Sequence, residues 1–76
     1  MTRLDLFISA GEALFGPRWQ SDLAAEMDLS VRYMQMLAAG DRRVTDAHLA
    51  RLLQIVREHA KKLEGVAAAL EKGIEK

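Results

Sequence analysis

The chain has 76 residues, half of them hydrophobic, with no cysteine and 11 basic side chains balancing 11 acidic ones. That is one small domain with no disulfide or thiolate metal site to staple it, so helix packing or a partner chain must hold it together. Zero net charge argues against holding nucleic acid by bulk electrostatics. Short apolar runs and the lack of a charged start before a hydrophobic stretch argue against a membrane span or a secretory signal, and the expected location is cytoplasmic.

No segment alternates with period two, and helical spacing recurs throughout, which predicts an all-α fold. The expected architecture is a small bundle of four to five helices. It contains a helix-turn-helix and a C-terminal helical extension, with residues 1–57 as the core domain and 58–76 as a dimerisation segment. The first helix is expected from Thr2 to Phe15, with Leu4, Phe7, Ile8, Gly11, Leu14 and Phe15 on one face. Leu6 lies off that stripe, exposed or near a partner. Gly16-Pro17 stops the helix. A second helix is expected from Trp19-Gln20 to Met27, with Leu23, Ala24 and Met27 inward, and Trp19 reads more readily as core than as a contact residue. Asp28-Leu29-Ser30 forms a turn. A third helix runs from Val31 to about Ala39, capped by Ser30 and closed by Gly40, with Met34 and Leu37 inward. Asp41-Arg42-Arg43-Val44 reads as a polar loop.

Thr45-Asp46 caps a last helical region with a regular pattern. Leu49, Leu53, Val56, Ala60, Leu63, Ala67, Leu70 and Ile74 alternate by fours and threes, a heptad stripe that Leu52 and Val66 widen. A core of this size cannot cover it all. Either the stripe folds back near Gly65, or its first half is core and its second half frays, or it packs on another chain. The favoured expectation is a homodimer through Leu63, Ala67, Leu70 and Ile74.

Helix, short turn, helix sets specific demands. A small residue must sit where the helices cross, and Ala24 supplies it. The turn needs a residue that tolerates positive φ, and Asp28 is a permitted substitute for glycine. Leu29 is the apolar side chain that the turn buries. The segment "QSDLAAEMDLSVRYMQMLAAG", Gln20 to Gly40, resembles the lambda-repressor-like helix-turn-helix family, also called the XRE family. The likeness covers about residues 3–57 and rests on the leading glutamine, the Leu-Ala pair, the apolar residue closing the second helix, the turn and the closing glycine. Asp28 departs from the family's turn glycine.

The resemblance implies sequence-specific binding of double-stranded DNA and transcriptional control, usually as a two-fold dimer on an inverted repeat. It implies that Gln20 touches a phosphate and braces the third helix, and that Arg42 and Arg43 follow the phosphates. The third helix would enter the major groove. Among its outward residues Arg32 is the best candidate for base readout, since arginine is the commonest bidentate partner of guanine; its alternative is a solvated surface arginine. Val31 can pack on a thymine methyl or simply lie at the helix start. Gln35 can pair with adenine or face solvent, and Met36 can adapt to a base edge or rim the core. Ser30 is first an N-cap and secondarily a phosphate ligand. Tyr33 can reach a phosphate or pack on a neighbouring helix. Arg18, at the start of the second helix, is a further phosphate candidate.

Asp22, Glu26, Asp28, Asp41 and Asp46 offset Arg18, Arg32, Arg42, Arg43 and Arg51. That local balance predicts weak non-specific DNA binding and a modest salt slope per subunit. His48 and His59 have no ligand set around them, so no metal and no cofactor is expected. There is no nucleophile–base pair, carboxylate dyad or phosphate loop, so no enzyme is expected. The leading reading is a small regulator of repressor, autoregulator or controller type, of the phage or mobile-element kind, nucleoid-associated when bound to DNA. The alternative keeps the fold but makes it a protein-interaction module, such as an antitoxin or antiactivator docking through its third helix.

Overall fold

A computed structural model describes residues 1–75, and all of its regular structure is helical. Helix α1 spans Arg3–Phe15, a single 3-10 turn spans Gly16–Arg18, and α2 spans Trp19–Glu26. Helix α3 spans Val31–Ala39 and α4 spans Asp46–Glu75. Thr2 precedes α1 as its N-cap instead of lying inside it. Its hydroxyl accepts from the Asp5 N–H at 3.0 Å while the Asp5 carboxylate accepts from the Thr2 N–H at 3.3 Å. That reciprocal box satisfies two backbone donors that a helix start leaves open.

The core gathers Phe7 from α1, Trp19, Leu23 and Ala24 from α2, Met34 and Leu37 from α3, and Leu52 and Ile55 from α4. Phe7 sits at its centre, edge-on to Trp19 at 5.9 Å and to His48 at 6.4 Å. Gly11 makes room for the indole: a Cβ there would lie 2.6 Å from Trp19 Cδ2. Gly11→Ala is therefore expected to destabilise the fold by about 1–3 kcal/mol, because the indole cannot retreat from a packed core. A chemical melt would measure it, and an unchanged midpoint would count against this packing.

The structure departs from the sequence expectation at two places. Val44 belongs to the core although its neighbours form a polar loop; it is 4% exposed and closes the bundle between α3 and α4. In α4 the inward stripe is not the heptad stripe. Leu52 and Ile55 are buried, whereas Leu53 is 48% exposed and Leu49 and Val56 lie at the border of the core. Successive helical residues are about 100° apart, so the stripe through His48, Leu52, Ile55 and His59 adjoins the heptad stripe, one residue earlier. That inner stripe is the one that α1 to α3 cover.

Helix α4 continues unbroken through Gly65, so it does not fold back. From Ala60 to Ile74 every residue is exposed. At 1.5 Å per residue the whole helix is about 45 Å long, and the molecule measures 52 × 21 × 20 Å. Its radius of gyration is 14.8 Å, against about 11 Å for a compact chain of this length. A small helical head thus carries a projecting arm.

Candidate functional site

Helix α2 ends in a Schellman cap. The Leu29 N–H donates to the Ala24 carbonyl at 2.9 Å and the Asp28 N–H to the Ala25 carbonyl at 3.3 Å. This geometry needs a left-handed residue, and Asp28 takes it at φ 56°, the one positive-φ residue other than glycine among the described residues. The chain then re-enters helix at Ser30, whose hydroxyl accepts from the Tyr33 N–H at 3.1 Å. Helix α3 closes in the same manner, with the Asp41 N–H on the Met36 carbonyl at 2.9 Å and Gly40 at φ 84°. Both ends of the α2–α3 connection and the far end of α3 are thus held by local hydrogen bonds. Asp28→Gly is expected to hold or slightly raise stability. Asp28→Val is expected to lower it by at least about 1 kcal/mol, since a β-branched residue resists the left-handed region. Paired thermal melts would check the ordering.

Met34 and Leu37 anchor α3, both fully buried. Their inward placement leaves Val31, Arg32 and Gln35 exposed and Met36 half-buried. Arg32, Gln35, Met36, Ala39 and Asp41 line one shallow open depression along the outer face of α3, of about 340 Å³. Three of the four candidate base readers thus share one surface, and Val31, 43% exposed, stands one residue before Arg32 at the helix start. Asp41 shares the depression and lowers its positive potential.

Arg42 and Arg43 are exposed but do not line that depression. They line a second one with Thr2, Arg3, Leu4, Gly40 and Val44, where the loop after α3 meets the start of α1. Arg3 is the site-adjacent residue that sequence reasoning missed, because the contact joins segments about 40 positions apart in the chain. Its Nε donates to Asp46 at 2.9 Å, so part of its charge is already matched. Among the described residues the ion pairs are Arg3–Asp46 and His59–Glu26, the latter when His59 is protonated. Arg18, Arg32, Arg42 and Arg43 take part in neither.

The remaining candidates lie elsewhere or serve other roles. Arg18 is exposed just before α2, and Gln20 is half-buried in the first turn of that helix. Tyr33 is half-buried and packs against the core, its ring 6.1 Å from that of His48. The packing alternative accounts for its ring. Arg51 donates to the Glu26 carbonyl at 3.1 Å and Glu26 approaches His59 at 2.9 Å, so both serve the α2–α4 junction. His48 accepts from the Thr45 N–H at 3.0 Å, and His59 packs edge-on against Phe15 at 5.3 Å. Among the described residues no cluster of His, Cys, Asp or Glu could hold a metal ion, and no helix is long and apolar enough to cross a membrane. Comparison with protein-family models, with characterised proteins and with solved structures finds no significant match.

Proposed function

We propose that this chain is a sequence-specific DNA-binding transcriptional regulator of repressor or autoregulator type, acting as a homodimer on an inverted repeat. In this reading α2 and α3 form the helix-turn-helix of a small bundle, and the projecting part of α4 is its dimerisation extension. The observation that carries the reading is the placement of α3. Two buried anchors fix it to the head while Val31, Arg32, Gln35 and Met36 face outward from its start onward. That is the arrangement a major-groove helix needs, because its first turns must reach base edges while its inner face holds the fold. Arg32 would read a guanine, Val31 and Met36 would pack on thymine methyls, and Gln35 would pair with adenine or a phosphate. Arg42 and Arg43, on a neighbouring surface, would neutralise phosphates, with Ser30, Gln20, Arg18 and the Tyr33 hydroxyl as further backbone contacts.

In vitro selection from random duplex DNA tests this directly. An inverted repeat, bound in a salt-sensitive manner, is the expected product; recovery of no sequence preference would end the proposal. The second reading, a protein-interaction module of the same fold, draws support from the zero net charge and from Asp41 beside Arg32. Under that reading Arg32→Ala would change capture of a protein partner and leave no DNA shift to lose.

A further inference from the structure

The exposed arm of α4 is continuous with a groove on the head. Leu53 and Val56 line one end of that groove with Leu6 and Ala10 of α1. Val56, Ala60 and Leu63 continue it past Ala10, Ala13 and Leu14. The small side chains of Ala10 and Ala13 keep the groove open to a helix. Beyond it the same seam runs on through Leu63, 68% exposed, and Leu70 to Ile74, 84% exposed. The accessible surface is 5650 Å² for an 8.5 kDa chain. A monomeric globular protein of that mass exposes about 4,700 Å². The excess, roughly 1,000 Å² per chain, is close to the ~800 Å² that each partner buries in a standard specific interface.

We infer that two copies pair with their α4 helices antiparallel about Glu64, so that the arm of each lies in the α1–α4 groove of the other. This rests on the proposed homodimer and specifies its geometry. The charges beside the seam favour that direction. Arg57, Glu64 and Glu71 recur at one heptad position flanking it, and all three are exposed. Antiparallel pairing sets like flanking positions against each other. Arg57 then meets the partner's Glu71 at both ends, giving two ion pairs against a single Glu64–Glu64 contact on the two-fold axis. Parallel pairing would set Arg57 and Glu71 against Leu52 and Val66, and Glu64 against His59, which Glu26 already engages at 2.9 Å. The antiparallel register also lays the partner's Leu70 and Ile74 over Leu53 and Val56, beside Leu6. It separates the two Leu53 residues by about 33 Å along the helix axis, so the two heads sit at opposite ends of the paired helices.

The cysteine-free chain makes the test direct. Purified Arg57→Cys and Glu71→Cys chains, mixed, equilibrated and mildly oxidised, should form a mixed disulfide dimer, while neither forms one alone. In sedimentation equilibrium Arg57→Glu should weaken the dimer about tenfold, and adding Glu71→Arg should restore it; circular dichroism verifies that each variant keeps its helix content. Self-cross-linking of Leu63→Cys without the mixed Arg57–Glu71 product would mean a parallel dimer. That would overturn this geometry and leave the homodimer standing. A wild-type monomer at tens of micromolar would overturn both, and selection of a single half-site would then show that DNA recognition survives without either.

Discussion

Phe7→Ala is expected to remove a large share of the folding stability at 25 °C. Phe7 has no exposed surface and joins three elements at once: its own helix, Trp19 at the start of α2 and His48 in the first turn of α4. Removing a buried phenylalanine costs about 3–5 kcal/mol through lost transfer energy and the cavity left behind. A folded chain of this length has about 4–11 kcal/mol in total, so the loss takes a large share of what exists. No disulfide limits the unfolded state. Urea denaturation followed by circular dichroism measures the loss. Glu12→Ala is the matched control on the same helix, because Glu12 is exposed and outside both the core and the groove. Both melts need one protein concentration, since self-association would add to apparent stability. A loss below about 1 kcal/mol for Phe7→Ala would show that Phe7 is not the keystone of the core.

Under the proposed regulator reading, Arg32→Ala is expected to weaken binding to the selected DNA by about thirtyfold or more. A bidentate arginine–guanine contact discriminates by about 1–3 kcal/mol, and a two-fold dimer loses it twice. Selectivity at the contacted base pair should fall with it. Arg32→Lys should restore little, because an ammonium lacks the planar fork that matches the two guanine acceptors. Arg42→Ala should behave differently. It should weaken binding evenly across sequences and lower the salt slope by about one per subunit, as the loss of a phosphate contact does. Titrations on the selected site, a one-base variant and random duplex separate the two behaviours. If Arg32→Ala lowers affinity for all three equally, Arg32 is a backbone contact and the readout lies with Val31, Gln35 and Met36.

Local chemistry made much of the head readable from sequence. The ends of α2 and α3 follow from Ser30, Asp28 and Gly40, each of which acts within a few residues through capping or a left-handed φ. The inward sets Leu23–Ala24–Met27 and Met34–Leu37 follow from helical spacing on short helices, where only one apolar stripe exists. Val44 and Arg3 were not readable in this way. Val44 has no periodic neighbour in its loop, and it is buried because the chain must turn from α3 into α4 across the bundle. Arg3 reaches Arg42 and Arg43 only after α1 folds beside the loop that follows α3.

Helix α4 marks the boundary most clearly. Sequence alone determined an all-helical chain, the turn between α2 and α3, and a heptad stripe from Leu49 to Ile74 that a head this small could not cover. It did not determine which side of α4 the head would take. Two neighbouring stripes compete for that place, one broken by His48 and His59 and one unbroken, and the unbroken one looks the better core by composition. Tertiary structure chose the other. His48 caps its own helix start through Thr45 and packs its ring on Phe7 and Tyr33, and His59 reaches Glu26. Leu52 and Ile55 between them fill the core. Thr45 satisfies His48 locally, whereas His59 finds its polar partner on α2 only once the head is assembled. That three-dimensional pairing frees the unbroken stripe to face outward.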